Sequence, residues 1–395
     1  MPEPHSPIAV DVMGGDHGPE AIVRGAVRAV REYSIPVILV GDREKIDNTL
    51  KTEKGVPSGL LSIRHAPEEI TMDEVPVTAL RAKRESSIRV AFELVKAGEA
   101  SAVVSPGNTG AVMAAGCLIS GTLPGIARPA IASVFPRVRV PKPIVLLDAG
   151  ANVDCHAQQL VQFALMGHYY SVVGLGIPKP KVALLSNGTE SSKGNDVTRA
   201  AYAILSQQSE IDFVGYVEGR DIPTDKADVL VCDGFVGNIV LKSLEGGVEL
   251  VFETLKNFVE KSVRGKIGMW LARPVIKALF RDQLDPSSFG GAPLLGLNDV
   301  AIICHGSSGS RAISAAIRVA DTFVKQNVIA SMYKTLSEWN VESGGNYEDG
   351  LWGKVQSQVV RKRSFFKHKK KAALQEGEEL PKSEEEEKKR IEGEG

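Results

Sequence analysis

Short apolar runs recur along this chain, and each gives way to a loop bearing Gly, Asn or Asp that leads into residues with helical spacing. Residues 8–12, 37–40, 102–104, 144–147, 182–185, 229–231 and 301–303 are such runs. Strands this uniformly apolar fit a sheet covered on both faces, because a strand with one wet face alternates apolar and polar residues. The repeated strand, loop and helix therefore predicts an α/β protein with a mostly parallel central sheet. Residues 19–31 predict a helix with Ile22, Ala26 and Ala29 facing the core and Pro19 near its first turn. Another predicted helix follows Ser86 and Ser87 as candidate caps and sets Ile88, Ala91, Phe92 and Val95 on one stripe.

With 43% hydrophobic residues among 395, the chain can fill a substantial core in one large or two closely joined domains. Its formal net charge of -1 argues against a general nucleic-acid binder, and no nucleic-acid partner is expected. Cys117, Cys155, Cys232 and Cys304 lack the paired spacing of zinc or redox motifs, and are expected to be buried thiols in a reducing cytoplasm. Residues 1–7 carry no basic stretch leading into an apolar run, so no secretion signal is expected there. No segment approaches the roughly 20 consecutive apolar residues of a membrane-spanning helix. Residues 361–371 are basic around Phe365 and Phe366, and from Glu376 onward glutamate and lysine dominate. The catalytic body is placed at 1–345, with 346–395 a charged tail too poor in apolar residues to offset the entropy of ordering.

Loops after the predicted strands hold the chemistry. They are Met13-Gly14-Gly15-Asp16, Ser105-Pro106-Gly107-Asn108-Thr109-Gly110, Asp148-Ala149-Gly150-Ala151-Asn152, Asp233-Gly234-Phe235-Val236-Gly237-Asn238 and His305-Gly306-Ser307-Ser308-Gly309-Ser310. In a parallel sheet they would all emerge at one carboxyl edge, where ligands bind. Glycine lets backbone approach a ligand closely, and a following helix offers free amides with a partial positive charge, so an anion is the natural guest. None matches the nucleoside triphosphate or dinucleotide patterns. A further loop, residues 187–196, carries Ser191-Ser192-Lys193-Gly194-Asn195. Lys193 there reads as a phosphate ligand or as a solvated lysine, and Asn238 as a ligand or as the cap of a helix beginning near Ile239.

Together these segments resemble the PlsX family, the acyl-acyl carrier protein:phosphate acyltransferases of bacterial phospholipid synthesis. The resemblance rests on residues 8–16, Ala79-Leu80-Arg81 to Ser86-Ser87, residues 105–110, 147–154, Lys193-Gly194-Asn195, residues 233–238 with Leu241-Lys242, and residues 290–296, in family order over about 8 to 335. Pro106 stands where the family commonly has alanine, and Phe289 where a tyrosine is usual. The resemblance implies a Rossmann-like three-layer fold similar to isocitrate and isopropylmalate dehydrogenases, with two sub-domains, a homodimer and work at the membrane surface. It also implies acyl carrier protein and inorganic phosphate as partners, with acyl phosphate passing to glycerol-3-phosphate acylation and a glycerol-3-phosphate acyltransferase as a possible neighbour.

Phosphate is itself the nucleophile in such a reaction, so neither a covalent intermediate nor a cofactor or metal is expected. Lys193 and Asn238, which match positions regarded as catalytic in the family, are expected to bind phosphate and polarise the thioester carbonyl. Gly14, Gly15, Asp16, Asn108, Thr109, Asn152, Asp233, Gly237 and His305 are the expected phosphate or substrate contacts. His305 reads either as a proton donor to the departing thiolate or as a structural histidine.

Residues 251–283 mix apolar anchors with basic residues: Ile267, Met269, Trp270, Leu271, Val275, Ile276 and Phe280 among Arg264, Lys266, Arg273, Lys277 and Arg281. That pattern predicts a helical hairpin resting on an anionic membrane surface from the cytoplasmic side, or receiving an acidic carrier protein, or packing in a dimer interface. Rival functions are a short-chain phosphate acetyltransferase, a metal-dependent dehydrogenase using Asp148 and Asp233, and a carrier-binding membrane scaffold without catalysis.

Overall fold

The computed structural model describes residues 6–56, 59–137, 142–279 and 290–342. Phe280, Arg281, Phe289 and the tail 346–395 lie outside them, and the side chain of Lys277 is not described.

Among the described residues eleven strands form one sheet: β1 (Ile8–Asp11), β2 (Val37–Gly41), β3 (Leu61–His65), β4 (Ala102–Ser105), β5 (Ala130–Phe135), β6 (Ile144–Leu147), β7 (Lys181–Leu185), β8 (Asp212–Val217), β9 (Val229–Val231), β10 (Ala292–Leu295) and β11 (Val300–Ile303). Their order is β3-β2-β1-β4-β11-β10-β5-β6-β9-β7-β8. The helices are α1 (Gly18–Tyr33), α2 (Arg43–Thr52), α3 (Pro76–Ala82), α4 (Ser87–Lys96), α5 (Thr109–Ala115), α6 (Ala157–Val173), α7 (Asp196–Leu205), α8 (Gly234–Glu260), α9 (Val263–Leu279), α10 (Ser310–Lys325) and α11 (Val328–Glu342).

The period-two geometry of a strand divides its side chains between two cores. Ile8 and Val10 of β1 join the residues of α1, α6, α7 and α10 on one face, while Ala9 joins Leu80, Ile88, Phe92 and Ala111 of α3, α4 and α5 on the other. Ile22, Ala26, Ala29 and the stripe of α4 are buried as their spacing predicts. Ser86 is the N-cap of α4, yet its side chain does not cap; its Oγ donates to the Lys83 carbonyl at 2.9 Å instead. Cys232 and Cys304 are buried, whereas Cys117 and Cys155 are only partly covered, so burial of all four thiols does not hold.

Two further expectations are corrected. β10 is antiparallel to β11, β5 to β10, and β6 to β5, so the β6-β9-β7-β8 block runs opposite to the β3-β2-β1-β4-β11 block. Ligand-type loops therefore leave the sheet at two opposed edges, not one. The hairpin also begins well before residue 251: its first arm is α8, which starts at Gly234, turns near Lys261 and Ser262, and returns as α9.

Candidate functional site

The two opposed edges meet across the strands that cause the reversal. Ile131, Ser133 and Phe135 of β5 floor a cavity of about 2010 Å³ on the α5 and α8 face of the sheet. Asp16, Gly107 and Thr109 reach it from the β1 and β4 edge, with His305, Gly306 and Ser307 from β11. Ala149 and Gly150 reach it from the β6 edge, and Asn238 from α8. The far end runs between α8 and α9, lined by Val248, Phe252, Leu255, Met269 and Trp270, with Lys266 and Arg273 beside them. One end thus offers amides and polar side chains, and the other an apolar arm.

Close backbone approach explains the glycines. A Cβ on Gly14 would stand 2.5 Å from the Gly107 Cα, so the first and fourth strand loops touch only because Gly14 lacks a side chain. Gly15 has φ +86, a left-handed conformation that favours glycine. The Asp16 amide donates to the Gly306 carbonyl at 2.7 Å, tying the β1 loop to the β11 loop. A carboxylate repels phosphate, so the contribution of Asp16 to an anion site is this tie and not its charge.

Asp148 anchors the opposite wall. Its Oδ1 accepts from the amides of Ile131, Gly150 and Ala151 at 3.0, 3.2 and 3.0 Å, and its Oδ2 from Asn152 N and Nδ2 at 2.7 and 2.9 Å. Burial raises the Asp148 pKa, and the bonds to the loop amides oppose that rise. This cage fixes Gly150, whose added Cβ would stand 3.6 Å from the Cβ of Asn238. The Asn238 side chain has no protein hydrogen-bond partner among the described residues and so is available to a ligand. Its helix starts earlier than Ile239: Asp233 is the N-cap of α8, accepting from Val236 N at 2.8 Å.

Several expected contacts are committed elsewhere. Asn108 caps α5 through Oδ1, accepting from Ala111 N at 3.1 Å, and its Nδ2 donates to the carbonyls of Thr71 and Met72. Asn152 is buried, with Nδ2 donating to Pro129 O at 2.8 Å as well as to Asp148. Asp148 and Asp233, the candidate cation ligands, are thus occupied by amide donors; among the described residues no three His, Cys, Asp or Glu cluster as metal ligands. Lys193 is exposed and does not line the cavity. β6, β9 and β7 are nevertheless parallel neighbours, so the Lys193 loop leaves the same edge as Gly150, two strand spacings or about 10 Å away. Trp270, Lys266 and Arg273 line the far arm, whereas Arg264 and Leu271 do not.

Sequence reasoning missed Ser133, Arg311 and the β5 floor. The apolar residues 130–135 between Pro129 and Pro136 were signal enough for that strand.

A family described as fatty acid synthesis proteins matches residues 7–331. A phosphate acyltransferase from Pelotomaculum thermopropionicum is 48% identical over 340 residues, covering 86% of this chain and 98% of that protein. One from Geobacter sulfurreducens is 49% identical over 322 residues, covering 81% and 91%. Among solved structures, a phosphotransacetylase from Streptococcus pyogenes superposes with a TM-score of 0.54 at 21% identity, over 80% of this chain and 94% of that one, a likeness of fold.

Proposed function

Because the chain belongs to the phosphate acyltransferase family and is an acyltransferase acting on phosphate, we propose that its donor is a long-chain acyl thioester of acyl carrier protein. The acyl phosphate formed then serves glycerol-3-phosphate acylation in phospholipid synthesis. The observation that carries this reading is the two-ended cavity: a polar end for phosphate and thioester, and an apolar arm along α8 and α9 for the acyl chain. Each buried methylene contributes about 0.8 kcal/mol, so such an arm favours a long chain over an acetyl group.

A phosphate oxygen attacks the thioester carbonyl, a C–O bond forms, the C–S bond breaks, and its electron pair leaves on sulfur. The protein has to hold the dianion against the carbonyl and stabilise the oxyanion, tasks for fixed donors and not for a cofactor. Asn238, with an uncommitted amide beside Gly150, is assigned to the carbonyl oxygen. Lys193 is assigned to phosphate, which requires its exposed loop to move toward the shared edge when phosphate binds.

The hairpin is assigned to an anionic membrane surface on the cytoplasmic side. Trp270 and Leu271 are 70% and 66% exposed, with Arg264, Lys266, Arg273 and Lys277 on the same helix. Each large apolar side chain that inserts contributes about 1.5 to 3 kcal/mol and each basic one about 1. Among the described residues no helix is long and apolar enough to cross a membrane, which suits surface attachment. A homodimer, and hand-over of product to a glycerol-3-phosphate acyltransferase, complete the proposal.

Release of carrier thiol, followed with a thiol reagent, tests the donor. Palmitoyl carrier protein should release thiol only when phosphate is added, and acetyl coenzyme A should be a poor substitute. Equal or faster turnover of acetyl coenzyme A would replace this reading with a short-chain phosphate acetyltransferase.

A further inference from the structure

The loop after β11 contains a bond pattern that fixes where a proton can sit. Ser307 N–H donates to His305 Nδ1 at 3.2 Å, and Ser307 Oγ lies 2.7 Å from the same nitrogen. A backbone amide can only donate, so Nδ1 presents its lone pair and carries no proton while this bond stands. The hydroxyl, able to donate or accept, must then donate as well. Two further bonds hold the turn: Ser308 N–H to His305 O at 2.9 Å, and Asp16 N–H to Gly306 O at 2.7 Å. Nε2 has no protein partner among the described residues, and His305 lines the cavity.

We infer that Ser307 is a positioning residue that holds the His305 imidazole in the tautomer with its proton on Nε2, giving the acyl-transfer cavity a hydrogen-bond donor. The inference rests on the acyl-transfer reading of that cavity. A protonated ring would need a hydrogen on Nδ1, where the Ser307 amide hydrogen already points. A neutral ring cannot surrender its Nε2 proton to the leaving thiolate either, because the imidazolate left behind is a far stronger base than a thiolate. The Nε2–H therefore donates to the carbonyl oxygen as it gains charge, or to the departing sulfur, without transfer. Sulfur leaves as the thiolate and takes its proton from water. In this reading His305 contributes a hydrogen bond to the transition state and not a transferred proton.

The test uses the full chain labelled with ¹⁵N-histidine, its His305 signals assigned by their loss in His305→Gln. At a pH where the ring is neutral, Nδ1 should show the signature of an unprotonated nitrogen and Nε2 that of a protonated one. Ser307→Ala keeps the amide donor and loses only the hydroxyl, so Nδ1 should stay unprotonated while the ring turns more freely and kcat falls about tenfold, with KM for phosphate within about twofold; Ser307→Thr should restore kcat. A protonated Nδ1 in the wild type overturns the tautomer, and full kcat in Ser307→Ala overturns the positioning role of Ser307. Full kcat in His305→Ala overturns the ring's part in the transfer even with the tautomer as stated. Failure of the wild type to form acyl phosphate would instead count against the acyl-transfer reading.

Discussion

Gly237 rests directly on the carbonyl of Asp148: a Cβ added to Gly237 would lie 1.8 Å from that oxygen. Both partners are backbone, so no side chain can swing away to relieve the contact. Gly237→Ala should push α8 off the β6 loop, destabilise the protein by about 3 kcal/mol in urea unfolding, and remove most activity through displacement of Asn238.

Asn238→Ala is the opposite case, since the side chain has no protein partner among the described residues. Stability should change by less than about 0.5 kcal/mol. With Asn238 assigned to the carbonyl oxygen under the proposed function, its loss should lower kcat on the order of a hundredfold. A variant with unaltered kcat would remove Asn238 from the chemistry.

Asp148→Asn keeps the shape of the side chain but replaces one acceptor oxygen with an NH₂ that must face amide hydrogens. With five donors converging on the native carboxylate, the variant should lose about 3 kcal/mol of stability by thermal or urea melting. Hydrogen exchange at Gly150 and Ala151 should quicken.

Asp221 gives a pH dependence with a definite sign. The hydrogen bond from the Lys226 ammonium, 2.8 Å away, holds this carboxyl below its ordinary value of 3.8, against partial desolvation and with help from Glu218 N–H. A folded pKa below the unfolded one stabilises the protein above the unfolded value, and the contribution is lost as pH falls through the folded value. Asp221→Asn should therefore cost about 1 kcal/mol near neutral pH. Wild type and variant should converge in acid, when their melts are compared across pH.

Trp270→Glu replaces the large exposed anchor of α9 with a charge that anionic lipid repels. Co-sedimentation with phosphatidylglycerol vesicles should fall at least tenfold, as expected for about 1.5 to 3 kcal/mol of insertion energy. Retained binding would leave the hairpin without a membrane role.

The strands that sequence exposed most clearly are those buried on both faces, β1, β2, β4, β6, β7, β9 and β11. β3 alternates between half-buried and exposed residues, so its signal is weaker. β5 and β10 are apolar enough to be seen, but the antiparallel pairing that turns one sheet into two opposed blocks depends on partners far away in sequence, which periodicity does not encode. Gly14 and Gly237 stood out as loop glycines after strands, but a tight turn asks for the same residue, and the close approach that requires them comes from neighbouring loops. Asn108, Asn152 and Asp233 were harder, since an Asn or Asp that caps a helix or braces a loop has the same identity and neighbours as one that holds a ligand. Lys193 lies in the opposite situation, with its loop legible and its distance from the cavity set by where β7 falls in the sheet.

α8 carries Asn238 near one end and the hairpin turn at the other, some 27 residues and about 40 Å along a single axis. Asn238 follows directly on the contact of Gly237 with the Asp148 carbonyl, so the same close approach that seats the inner end of this helix also places that amide group over the β6 loop.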